Sequence, residues 1–108
     1  MTTLSGDFRV SRVDGDHEVI LSVCGEVDLS TAPQLLDAVG AALDGEGMVV
    51  LDLAGVTFID SQGIRALLHA YQASRSHRVH GMVIRSPRRQ VSKVLEMTGL
   101  SERLTIED

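Results

Sequence analysis

The chain has 108 residues, 44% apolar and 23% charged. These are the proportions of one soluble domain, residues 1–108, large enough to bury a core without metal or disulfide staples. A formal charge of -5 gives no general pull toward DNA or anionic lipid. The scarce aromatics (Phe8, Phe58 and Tyr71, with no Trp) offer no stacking platform for single-stranded nucleic acid.

The N-terminal Met1-Thr2-Thr3-Leu4 lacks the pattern of a secretory signal. No apolar stretch approaches the ~20 residues that span a bilayer, so a cytoplasmic protein with no membrane partner is expected. Phe8 to Val13 reads as an edge or half-exposed strand. Asp14-Gly15-Asp16 is a turn signal, and Val19 to Cys24 completes a hairpin. Cys24, the only cysteine, reads as a small buried hydrophobe. Gly25-Glu26-Val27-Asp28 leaves that strand as a loop. Ser30 or Thr31 can cap a first helix, with Pro33 tolerated in its first turn. Leu35, Leu36, Val39 and Leu43 fall on one face of that helix, which should end near Asp44-Gly45.

Met48 to Leu51, continued by Leu53, is an apolar run of the kind found in a central strand covered on both faces. Gly55 is read as its break. Ile64, Leu67, Leu68 and Tyr71 recur at helical spacing, so a second helix starts near Ser61 or Gln62. Met82-Val83-Ile84 is another short strand. Ser86-Pro87 reads as the start of a third helix with Val91, Val94 and Leu95 inward. Gly99 is placed to end it in a left-handed conformation, with Leu100 packing back. Leu104 and Ile106 suggest a terminal strand. The alternation predicts an α/β sandwich. Its sheet is mixed, with four or five strands, an N-terminal antiparallel hairpin and parallel central strands, accompanied by three or four helices.

One stretch carries chemistry: Leu51 to Ile64, where a strand, a glycine-bearing turn and a helix start meet at Asp60-Ser61-Gln62-Gly63. Helix N-termini offer unpaired N–H groups and partial positive charge, which suit a phosphoryl group. Gly63 reads as leaving space for a partner that approaches Ser61. The plainer alternative is that Asp60 or Ser61 simply caps the helix. Spacing leaves both open.

Phe58-Ile59-Asp60-Ser61-Gln62-Gly63-Ile64, Gly25-Glu26-Val27-Asp28 and Met97-Thr98-Gly99-Leu100 together resemble the STAS family, in particular its bacterial anti-sigma factor antagonists. The resemblance covers nearly the whole chain and implies a STAS-like sandwich. It also implies that Ser61 is phosphorylated by an anti-sigma factor with a histidine-kinase-like ATPase fold. Unphosphorylated chain would then bind that factor and release the sigma factor, phosphorylation would end the binding, and a metal-dependent Ser/Thr phosphatase would reset it. Asp28, Asp60, Ser61, Gln62 and Gly63 would form the partner-binding face. Gln62 stands where the family usually has Ser or Thr, which removes the adjacent alternative acceptor and predicts a single site. The other reading is a constitutive STAS interaction module of a transporter or signalling assembly.

Arg85, Arg88, Arg89 and Lys93 cluster around the third helix and read as a solvated face or an acidic-partner contact. His77 and His80 lack the further ligands a zinc site needs. Asp-Ser-Gln-Gly is not a nucleophile elbow, and no histidine is placed as its base. No Gly-x-x-x-x-Gly-Lys loop is present. No enzyme activity, catalytic residue, metal, cofactor or direct nucleic-acid contact is expected.

Overall fold

The apolar runs become strands and the periodic segments become helices. The computed structural model describes residues 7–45, 47–76 and 81–107. In chain order the elements are β1 (Arg9–Asp14), β2 (Glu18–Val27), α1 (Ala32–Leu43), β3 (Met48–Ile59), α2 (Ser61–Ser76), β4 (Met82–Arg85), α3 (Arg89–Met97), a 3₁₀ turn (Leu100–Glu102) and β5 (Thr105–Glu107). The five strands lie side by side in the order β1-β2-β3-β4-β5. β1 pairs antiparallel with β2, and β2 through β5 pair parallel. The expected mixed sheet with a leading hairpin is therefore what forms.

Each parallel step moves one strand in the same direction, so right-handed crossovers place all three helices on one sheet face. The core agrees with this. Leu21, Val23, Leu51, Leu53 and Ile84 from the strands join Leu35 and Val39 of α1, Leu67 and Ala70 of α2, and Val91 and Leu95 of α3 in one buried cluster. Leu104 and Phe8 close its ends. The alternate residues Ile20, Val50 and Val83 pair across β2, β3 and β4 on the other face and lie outside that cluster. Two-residue side-chain alternation produces this division.

Three element boundaries differ from the sequence expectation. Gly25 to Val27 is strand, not loop: β2 continues through irregularities at Ser22/Cys24 and Gly25/Glu26, and Gly25 takes a φ of 103°. Gly55 does not break β3, which runs on to Ile59. A Cβ at Gly55 would lie 2.6 Å from Cys24 Sγ and 2.9 Å from the Val23 carbonyl oxygen. The glycine marks a close approach of neighbouring strands rather than a strand end. Cys24 itself is half-buried, not fully enclosed. The third helix begins at Arg89 and not at Ser86-Pro87: Ser86 sits at a φ of 54°, outside helical geometry, and Arg88 is extended at the cap.

Gly99 ends α3 as expected, at a φ of 80°, and Leu100 behind it is buried. A Cβ there would meet nothing within 4 Å, so substitution costs only backbone conformation. Gly99→Ala should lower the free energy of unfolding by about 1–2 kcal/mol, and Gly99→Asn by less, because Asn tolerates the left-handed region. Urea denaturation of the two variants checks this.

Candidate functional site

The C-terminal ends of the parallel strands β2 and β3 bring two acid-bearing segments together. Val27 pairs with Ile59, and the Asp60 N–H donates to the Val27 carbonyl at 3.3 Å. The chain after β2 and the chain after β3 therefore leave the sheet side by side. In open α/β sheets, ligands bind outside the carboxyl ends of the strands.

Asp60 settles which residue caps α2. One oxygen of its carboxylate, Oδ1, accepts from the Gln62 N–H at 2.9 Å and from the Gly63 N–H at 3.0 Å. Its carbonyl accepts from the Ile64 N–H at 2.9 Å. Asp60 is therefore the N-cap, and its negative charge suits the helix dipole. Ser61 becomes the first helical residue and is exposed. Among the described residues, its hydroxyl has no hydrogen-bond partner. A hydroxyl relieved of capping and open to solvent is available as an acceptor for group transfer.

The same geometry corrects two sequence expectations. The helix N–H groups of Gln62 and Gly63 are not waiting for a phosphate, because Asp60 already holds them. Gly63 does not leave space for an approaching partner, because it is buried. A Cβ there would run into the Val27 carbonyl oxygen and lie 2.6 Å from Ile59 Cγ1. The missing side chain lets α2 start directly against the ends of β2 and β3.

Asp28 organises the neighbouring segment. Its Oδ1 accepts from the Ser30 hydroxyl at 2.8 Å and from the Ser30 and Thr31 N–H groups at 3.0 and 3.3 Å. The Ser30 hydroxyl is the main reason its carboxyl lies below the ordinary aspartate value, with the two backbone N–H groups adding to this and desolvation opposing it. Thr31 stands at the N-cap of α1, but its hydroxyl bonds no helix amide. It accepts from the Asp28 N–H at 3.0 Å and donates to the Glu26 carbonyl at 2.8 Å. Sequence reasoning missed this buried tie. The Asp-Leu-Ser-Thr spacing was its only signal, since Asp and Ser/Thr side chains commonly close turns two or three residues away.

Asp28, Leu29, Ser30 and Asp60 line one shallow cleft of about 420 Å³. Four of the five candidate residues, Asp60 through Gly63, are consecutive at the α2 start, and the cleft brings in Asp28. Gln62 is half-buried and contributes its backbone N–H to the cap. Among the described residues, no group of three or more His, Cys, Asp or Glu is arranged to hold a metal ion. His77 and His80 lie outside the described residues. The basic cluster is divided: Arg85 pairs with Glu107 at 2.7 Å, Arg88 donates to the Ala54 carbonyl at 2.7 Å, and Arg89 and Lys93 are exposed. Glu107 holds the Arg85 guanidinium above its ordinary pKa.

The STAS domain model matches residues 8–108. The chain is 31% identical over 102 residues to the anti-sigma-B factor antagonist of Listeria monocytogenes, covering 94% of this chain and 88% of that protein. It is 37% identical over 61 residues to the anti-sigma-F factor antagonist RsfB of Mycobacterium tuberculosis, 56% of this chain and 50% of that protein. A crystal structure of an anti-sigma factor antagonist from Mycobacterium paratuberculosis superposes with a TM-score of 0.76 at 30% identity, covering 93% of this chain and 85% of that one.

The packing and the cap give separable expectations. Gly63→Ala should destabilise the fold by about 1–3 kcal/mol through overpacking. Asp60→Ala should cost about 1 kcal/mol through loss of the cap, while Ser61→Ala should leave the urea midpoint unchanged. A shift on Ser61→Ala equal to that on Asp60→Ala would reassign the cap to Ser61.

Proposed function

The chain belongs to the STAS domain family, and on that premise we propose that it is an anti-sigma factor antagonist switched by phosphorylation of Ser61. Unphosphorylated chain binds a kinase-type anti-sigma factor of the histidine-kinase-like ATPase fold and so frees the sigma factor. Phosphorylation ends that binding, and a Ser/Thr phosphatase restores it. The chain itself is a binding protein and not an enzyme. Among the described residues, no helix is long and apolar enough to cross a membrane.

The observation that carries this reading is the division of labour between Asp60 and Ser61. The carboxylate caps the helix, so the exposed hydroxyl beside it can be modified without taking a structural bond away. Phosphate adds about -1.5 to -2 charges. It arrives next to Asp60, on the end of the sheet that also carries Asp28, and the two nearest helix amides are already engaged. A docked interface that buried this charge unpaired would lose several kcal/mol. Switching is therefore local, by charge and bulk, with the sheet and helices unchanged. With Gln62 following, Ser61 is the single acceptor of this segment.

Purified kinase-type anti-sigma factors of the source organism, incubated with the chain and ATP, test this reading by intact mass. One phosphate on wild type and none on Ser61→Ala is the expected result. Equal phosphorylation of Ser61→Ala, or none on wild type with any of these factors, contradicts the switch. Capture of the chain by a transporter assembly irrespective of Ser61 would favour the constitutive module.

A further inference from the structure

Among the described residues, four large apolar side chains are markedly exposed: Val13, Leu29, Phe58 and Met97. Isolated exposed apolar residues are ordinary on a protein surface, but these divide by location. Val13 pairs with Ile20 near the start of β2. Met97 closes α3, which runs back from the end of β4 toward that same side. Leu29 and Phe58 are at the other end, with Ser61. Leu29 is 70% exposed and lines the cleft with Asp28, Ser30 and Asp60. Phe58, 47% exposed, precedes Asp60 by two residues and pairs across the sheet with exposed Glu26.

The segment holding Leu29 is rigid for a reason already described. Asp28 is tied to Ser30 and Thr31, and Thr31 to Glu26. Leu29 is thus presented outward on a short, hydrogen-bonded turn rather than on a slack loop. A backbone segment fixed in place gives up little conformational freedom when the apolar side chain it carries docks. Such residues at the centre of a patch carry a large share of interface energy. Two carboxylates, those of Asp28 and Asp60, line the cleft with it, and among the described residues no cation does.

We infer that Leu29 is the apolar anchor of the docking face, seated in an apolar socket of the anti-sigma factor whose rim carries Arg or Lys toward Asp28 and Asp60. This inference rests on the antagonist reading and adds the residue that determines partner affinity together with the chemistry of the surface that receives it. The acidic rim argues against a second copy of this chain as occupant, because identical faces would bring carboxylate against carboxylate.

The test titrates an anti-sigma factor that binds the unphosphorylated wild-type chain with wild type, Leu29→Ala and Met97→Ala. Leu29→Ala should weaken binding about tenfold or more through a faster off-rate, with an unchanged urea midpoint because the side chain is already in solvent. Met97→Ala, at a residue still more exposed and at the opposite end, should bind as wild type does. Raised salt should slow association of the wild type. If wild type binds and Leu29→Ala binds equally well, the anchor is wrong and the antagonist reading stands. If no anti-sigma factor binds wild type, the antagonist reading itself fails. A wild-type dimer in sedimentation that Leu29→Ala dissolves would overturn the choice of occupant.

Discussion

The Asp60 carboxylate lies over the first turn of α2, with one oxygen on the amides of Gln62 and Gly63 and its own N–H on the carbonyl of Val27. This arrangement fixes three things at once. It starts the helix, it joins that start to the end of β2, and it leaves the next residue without structural duty. The exposed serine, the buried glycine two positions on and the cleft shared with Asp28 all follow from where this carboxylate sits. A side chain at position 63 would push α2 off the strand ends.

The acid pair is held on unequal terms. Asp28 is bound into its own turn by Ser30 and Thr31, and that bonding holds its carboxyl below the ordinary aspartate value. Asp60 spends its charge on the helix. Both carboxylates serve local structure, so their positions on the face are fixed before any modification. A phosphate on Ser61 would add bulk and a doubly charged group that must be desolvated beside these carboxylates, which would oppose the close contact made by the unmodified face.

Much of the architecture was legible from apolar patterning. The hairpin, the central strand at Val49 to Leu53, the second helix and the left-handed stop at Gly99 follow from local rules that the tertiary fold obeys. The errors came from glycine and proline, whose local meanings are ambiguous. Gly55 and Gly63 looked like a breaker and an open space. Both exist because another segment comes within contact distance, information held by Cys24, Val23, Val27 and Ile59 and not by the neighbouring sequence. Ser86-Pro87 resembled a cap followed by a first turn, yet the chain uses it to turn out of β4 before α3 begins. At the site, the motif singled out Asp60 and Ser61, but only the structure divides the roles between them. Leu29 carried no signal, because an apolar residue in a loop is unremarkable until its exposure and its neighbours are known.

The central claim is that Ser61 governs binding without supporting the fold. Measuring unfolding free energy and anti-sigma factor affinity together on wild type and Ser61→Glu tests it most directly. The account predicts unfolding curves that agree within about 0.5 kcal/mol, as for an exposed substitution away from structural bonds, and binding abolished in the variant. Retained binding, or binding lost only in proportion to lost stability, would contradict it.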